Sequence, residues 1–331
     1  MCCAETQEKG WREIMGLKVA FMTRHHATLI CQEARQLLLD AGFEIISNDT
    51  GRILTREEQK ELIKDAYAII AGTEKYDADI LSACKNLKVV TRFGVGTDNF
   101  DLETMKKMGV QVGVIANHNA VAEFALTLIL ASMKNLTRYD TVVREGKWSR
   151  FPMRELSQKT VGLVGFGRIG RRLAELLRGF DVEILAYDLY MNAEAAAERK
   201  VTSVSLEELL ERSDVVSLHL PSTEQNYHMI NADTIGKMKD GAYLINTARG
   251  SLVDEKALHE ALVTGKLSGA GLDVYEKEPV TAENPLFSRD NDVLAPHVSA
   301  LSYETNYNGG IICAKSIIQV RDGGKPLYPL W

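Results

Sequence analysis

The chain has 331 residues, 45% of them hydrophobic and 25% charged, which suits a globular protein with room for two domains. Its net charge of −6 leaves no basic excess to pair with a phosphate backbone, which excludes nucleic-acid binding as the main task but allows a local basic site for a small anion. The most apolar helix-like run, Ala120 to Met133, is too short to span a membrane and carries Glu123.

Residues 1–16 read as a ragged extension, polar over Met1 to Gly10 and without the apolar core of a signal peptide. From residue 17 strands and helices alternate. Leu17 to Met22 is an expected strand, and Thr28 to Ala41 a helix closed by Gly42. Phe43 to Ser47 is a strand, and Thr55 caps a helix opened by Arg56-Glu57-Glu58. Strands at Tyr67 to Ala71 and Lys88 to Arg92 flank a short helix near Asp79 to Ala83. A helix from Leu102 to Met108 ends at Gly109, and Val110 to Val114 is a strand. Such repeated β-α-β order predicts a parallel sheet covered on both faces. Asn119 to Asn135 is expected to be a helix apolar on nearly every side, hence buried on every side, between domains or in a subunit interface. A second α/β series has strands at 160–165, 182–188, 215–220, 242–247 and 269–274. The last helix, Glu304 to Val320, follows this series and is expected to cross back to the first domain.

The second series opens on Thr160 to Gly170, TVGLVGFGRIG. A strand runs into Gly165-Phe166-Gly167-Arg168-Ile169-Gly170, a helix follows, and the next strand ends on Asp188, 18 residues past Gly170. That is a dinucleotide fingerprint in its proper context. Gly165 makes the tight turn, Gly167 admits a pyrophosphate and Gly170 lets helix and strand pack. Asp188 suits ribose hydroxyls and would repel a 2′-phosphate, which favours NAD over NADP.

Other candidates stand just after strands, where open α/β sheets bind their ligands. Arg249 follows Tyr243 to Ala248 and offers a fork for a carboxylate. Asp273 and Glu278 follow Gly269 to Leu272, with Glu278 held before Pro279. His297 follows Pro296 and is able to relay a proton near neutral pH. Gly94-Val95-Gly96 presents backbone N–H groups to an anion. His219 ends a strand before Pro221 and is read as lining the adenine side. His25, His26, His118, His228 and His259 are read as structural. The five cysteines, at 2, 3, 31, 84 and 313, have no metal-ligand spacing and read as reduced thiols of a cytoplasmic protein, with no metal expected.

Taken together, RFGVGTDNFD (92–101), VAEFAL (121–126), ELSQKTVGLVGFGRIG (155–170), LINTARGSLVDEKAL (244–258), GAGLDVYEKEP (269–279) and APHVSA (295–300) resemble the D-isomer-specific 2-hydroxyacid dehydrogenases over about residues 17–325. The resemblance implies two flavodoxin/Rossmann-like parallel-sheet domains with a cleft. An NAD domain of residues 117–297 would be inserted in a discontinuous substrate-binding domain of residues 1–116 and 298–331. It implies Arg249 as the holder of the substrate carboxylate and keto oxygen, His297 as acid/base and Glu278 as its partner. Val95 and Gly96 would give backbone contacts to the carboxylate, with Arg249 and His297 completing the substrate site. Gly165, Gly167, Arg168, Ile169, Gly170, Asp188, His219, Pro221, Thr247, Ala248 and Asp273 would face NAD, Asp273 orienting the nicotinamide amide. A homodimer through the region around residues 119–148 is expected from the same resemblance.

Three departures bear on the substrate. Val114-Ile115-Ala116-Asn117-His118 lacks the Pro-Gly common in the family, Ser299-Ala300-Leu301 is bulkier than its small-residue run, and Gly72-Thr73-Glu74-Lys75 lacks the arginine of typical phosphoglycerate dehydrogenases. The expected activity is an NAD-dependent interconversion of a D-2-hydroxy acid and its 2-keto acid, of phosphoglycerate or hydroxypyruvate type. The alternative is an NAD(H)-sensing, corepressor-like binding protein on the same fold. A formate-type enzyme is disfavoured, because those carry Gln where Glu278 stands.

Overall fold

A computed structural model describes residues 16–22, 31–115, 118–289 and 292–331. Cys2, Cys3, His25, His26, Ala116, Asn117 and the start of the helix expected from Thr28 lie outside the described residues. The chain divides into two compact units, one of residues 1–117 with 301–331, the other of residues 118–300.

The first unit is built on five parallel strands: β1 (Lys18–Phe21), β2 (Glu44–Ser47), β3 (Ala66–Ala71), β4 (Val89–Arg92) and β5 (Gln111–Val114). Their order is β2-β1-β3-β4-β5. Helices on both faces explain why β3 reads as an unbroken apolar run. Ile69 and Ile70 point to opposite faces and are both fully buried, each side chain contributing about 1.5–3 kcal/mol. The Thr55 cap forms as expected: its hydroxyl accepts from the Glu58 N–H while Glu58 reaches back to the Thr55 N–H. The last helix, Tyr303–Arg321, does return to this sheet, burying Cys313, Ala314 and Ile317 among Val19, Phe21 and Leu38. The C-terminal segment then covers the β5 edge: the Val114 N–H donates to Tyr328 O and the Leu330 N–H to Val112 O, both at 3.0 Å.

The second unit holds seven parallel strands: β6 (Thr160–Val164), β7 (Glu183–Tyr187), β8 (Thr202–Ser203), β9 (Val215–Leu218), β10 (Ala242–Asn246), β11 (Leu267–Leu272) and β12 (Val293–Leu294). The order is β12-β11-β10-β9-β6-β7-β8. The chain runs outward from β6 to β8, then returns to place β9 on the other side of β6. That reversal makes the β6/β9 boundary the switch point where such sheets bind ligands. The two-residue strands β8 and β12 were not among the expected strands, being too short to carry a periodic signal.

The helix Asn119–Met133 packs on β10, β11 and the helix Arg168–Leu177. Gly271 permits the approach, since a Cβ there would lie 2.9 Å from Leu128 Cβ. The expectation that this helix is buried on every side is corrected: Glu123 and Thr127 are exposed, and Phe124, Leu126 and Leu130 are half-buried. Apolar composition marked the helix, while its position on one face of the sheet decided which sides are covered. At Asn135, whose φ is +51°, the chain turns by 63° into the helix Leu136–Arg144, which buries none of its residues. Among the described residues no single helix is long and apolar enough to cross a membrane, and no cluster of His, Cys, Asp or Glu has the makings of a metal site.

Candidate active site

The carboxyl ends of β6, β7, β9, β10, β11 and β12 carry Gly165, Asp188, His219, Thr247, Asp273 and His297 respectively. At the switch point Gly165 has φ +104°, and a Cβ there would stand 2.8 Å from the carbonyl carbon and oxygen of His219. Only glycine fits. A Cβ on Gly170 would lie 2.3 Å from Gly165 O, so the helix start presses directly on the turn. Gly167 differs: nothing lies within 4 Å of its missing Cβ, and its φ of −73° suits any residue. Its lack of a side chain leaves open space in front of the backbone. The helix Arg168–Leu177 begins there with no side-chain cap, so its first N–H groups and positive dipole end are offered outward.

Asp188 is tied into this turn. Its Oδ2 accepts from the Phe166 N–H at 2.7 Å and its Oδ1 from the Tyr190 N–H at 2.8 Å. Its two oxygens keep further lone pairs for ribose hydroxyls. Thr247 is 6% exposed, and its Oγ1 has no hydrogen-bond partner. His219 lies behind the turn: Ser217 Oγ meets its Nε2 at 3.0 Å, its buried Nδ1 has no partner, and burial lowers its pKa to about 4. It is therefore a neutral ring at pH 7. Ala248 is buried, Ile169 half-buried, and Arg168 and Pro221 exposed. An open glycine, uncapped helix N–H groups, a carboxylate at the next strand end and an orphaned hydroxyl together fit a bound NAD.

On the other side of the switch point, His297 Nδ1 lies 2.7 Å from Glu278 Oε2. Both side chains remain half-exposed, so the dyad is accessible. The hydrogen bond to Glu278 raises the His297 pKa above the ordinary imidazole value, against the effect of burial. For Glu278, burial works against the charged form. Hydrogen bonds from His297 and the Tyr275 N–H outweigh it and hold the carboxyl below its usual range. The carboxylate partner places a proton on Nδ1 and leaves Nε2 as the exchanging atom. His297 has φ +56°, a left-handed conformation rare for a residue with a Cβ. Its N–H donates to Asp273 O at 2.8 Å. Asp273 is fully buried, with Oδ1 accepting from the Val298 N–H at 2.7 Å and Oδ2 from the Ser299 N–H at 2.9 Å. Arg249 is fixed in part by a 2.6 Å bond from Nη1 to Ala248 O. Gly250 lets this loop lie against the next, because a Cβ there would fall 1.9 Å from the carbonyl carbon of Tyr275. Arg249, Glu278 and His297 thus belong to one unit and one sheet end.

Val95 and Gly96 belong to the first unit, after β4. Arg92 shapes their turn, donating from Nε to Gly96 O at 2.9 Å and from Nη1 to Ala71 O at 3.3 Å. Asn99 ties the turn to the loop after β3, donating to Gly72 O and Glu74 O. Sequence reasoning passed over Arg92 and Asn246. An Asn at a strand end two residues before Ala248 signals a side-chain turn, and Asn246 makes one: its Oδ1 accepts from the Ala248 N–H at 3.0 Å.

A family model described as "D-isomer specific 2-hydroxyacid dehydrogenase, NAD binding domain" matches residues 126–299, wholly inside the second unit. The chain is 38% identical to a D-3-phosphoglycerate dehydrogenase of Archaeoglobus fulgidus over 89% of its own length, but spans only 56% of that relative. It is 39% identical to a hydroxypyruvate reductase of Thermotoga maritima, covering 87% of this chain and 94% of that one. Among solved structures it is similar to a glyoxylate reductase from Paecilomyes thermophila, with TM-score 0.85 and 28% identity over 95% of this chain and 98% of that one.

Proposed function

This chain belongs to the D-isomer specific 2-hydroxyacid dehydrogenases, and on that premise we propose that it is a reductase of the hydroxypyruvate type, with Arg249, Glu278 and His297 as its catalytic residues. NAD supplies the hydride acceptor or donor when bound. Gly165, Gly167, Gly170, the start of the helix Arg168–Leu177, Asp188 and Thr247 would hold it. The single observation that carries the reading is the His297–Glu278 dyad at 2.7 Å on the same sheet end as Arg249.

In the direction of reduction, His297 gives its Nε2 proton to the developing alkoxide. In oxidation the neutral ring takes the hydroxyl proton at the same atom. Glu278 keeps Nδ1 protonated and favours the imidazolium. Arg249 binds the carboxylate through its fork and draws charge from the carbonyl oxygen. Val95 and Gly96, after β4 in the other unit, are the further substrate contacts that membership of this family implies. An unphosphorylated C3 is supported by the loop after β3, Gly72-Thr73-Glu74-Lys75, which lacks the arginine of typical phosphoglycerate dehydrogenases and carries the buried carboxylate of Glu74. The exposed apolar residues Leu136, Val143, Trp148 and Met153 support a homodimer.

The test is NADH oxidation with glyoxylate, pyruvate, hydroxypyruvate and 3-phosphohydroxypyruvate. The highest kcat/KM is expected with hydroxypyruvate. A higher value with the phosphorylated acid would overturn the substrate assignment, and NADH binding without turnover of any acid would favour the sensor reading.

A further inference from the structure

Arg249 and His297 stand on loops with no regular structure, yet each loop is tied to a buried side chain that uses both its polar atoms on backbone groups. Asn246 is 1% exposed. Its Oδ1 accepts from the Ala248 N–H at 3.0 Å and its Nδ2 donates to Arg249 O at 2.9 Å. Asp273 is 0% exposed, and its carboxylate takes the N–H groups of Val298 and Ser299, the two residues that follow His297. The two residues are also joined through their backbones: the Asp273 N–H donates to Asn246 O at 2.9 Å. Gly250 seats the first loop flush on the second, and the Tyr275 N–H of that second loop donates to Glu278 Oε1 at 3.0 Å.

From this we infer that Asn246 and Asp273 are positioning residues: Asn246 sets the direction in which Arg249 leaves β10, and Asp273 fixes the left-handed turn that presents His297. The inference rests on the roles proposed above for Arg249 and His297. A left-handed residue bearing a Cβ persists only where its surroundings over-determine it, and here three N–H donors, from His297, Val298 and Ser299, converge on Asp273. The residue types follow from the donors and acceptors. The Val298 and Ser299 N–H groups go to separate oxygens, which a carboxylate supplies, whereas an amide would turn its NH₂ donor toward one of them. One N–H and one carbonyl need an acceptor and a donor, which an amide has and a carboxylate lacks. The negative charge of Asp273 also favours the His297 imidazolium, adding to Glu278. Acting on backbone in this way, Asp273 governs the acid/base turn, a different task from orienting the nicotinamide amide.

The experiment uses the full chain with Asp273→Asn and Asn246→Asp, reading NADH affinity by fluorescence and the pH profile of hydroxypyruvate reduction. Asp273→Asn should lower kcat tenfold or more, move the pH limb to lower pH and leave the NADH Kd within twofold. Asn246→Asp should raise KM for the keto acid tenfold or more, with the pH limb and NADH Kd unmoved. A tenfold weaker NADH Kd with an unmoved pH limb in Asp273→Asn would make Asp273 a cofactor contact and overturn its part. A wild-type KM in Asn246→Asp would overturn the other. Hydrogen exchange of the unmutated protein decides the matter if a variant does not fold: the Val298 and Ser299 amides should be protected like those of β10, and rapid exchange would refute the clamp. Arg249→Lys and His297→Asn separate the two levels. Wild-type rates in these would refute the proposed site, whereas their inactivity beside normal Asn246 and Asp273 variants would refute only the positioning roles.

Discussion

Gly167→Ala separates the stability of the glycine turn from its use. The added methyl meets nothing within 4 Å, and the backbone φ of −73° is one that alanine adopts freely. Unfolding stability without ligand should therefore change by no more than about 0.5 kcal/mol, as for other substitutions in open space. The same methyl occupies the space through which a pyrophosphate reaches the helix N–H groups. A tenfold loss of NADH affinity, about 1.4 kcal/mol, is the expected minimum. The assay is thermal unfolding with and without NADH at one hundred times the wild-type Kd. Ligand at that level stabilises the wild type by about 2.7 kcal/mol, and a tenfold weaker variant by about 1.4 kcal/mol. At roughly 2–4 °C per kcal/mol for a unit of this size, the NADH-induced shift should fall from about 5–11 °C to about 3–6 °C or less. A variant that is destabilised without ligand, or whose NADH shift equals that of the wild type, would refute the assignment of this space to the cofactor.

Glu278→Gln removes the charge that raises His297. A raised pKa keeps the ring protonated to higher pH, so the variant should lose reduction at lower pH than the wild type, with kcat down about tenfold to hundredfold; an unmoved limb would separate Glu278 from the acid. Asp188→Ala should weaken NAD about tenfold and raise the NADP/NAD ratio, while exposing the Phe166 and Tyr190 N–H groups that Asp188 now satisfies. An unchanged ratio would locate the preference elsewhere. Val143 is 61% exposed, and Val143→Asp should reduce the mass by light scattering to the 36.7 kDa of one chain. A wild-type chain that already runs at that mass would remove the homodimer.

The sequence determined whatever depends on local order. Strand, glycine turn, helix, strand and Asp188 are consecutive, so their pattern alone located the glycine turn and, with the repeated β-α-β order, the parallel sheets. The strand-end positions of Arg249, Asp273 and His297 were legible for the same reason, since the ends of parallel strands gather on one edge. The tertiary structure decided what depends on which loops meet. It brought Glu278 to His297 across 19 residues and seated Gly250 on Tyr275. It gave Asp273 two backbone N–H groups to hold, and it tied Asp188 into the glycine turn through the Phe166 N–H. It also left Glu123 and Thr127 in the open on a helix whose composition read as wholly buried. Composition and spacing record what a residue is able to do. Which N–H group, carbonyl or solvent it faces is fixed only when chain segments far apart in sequence pack together.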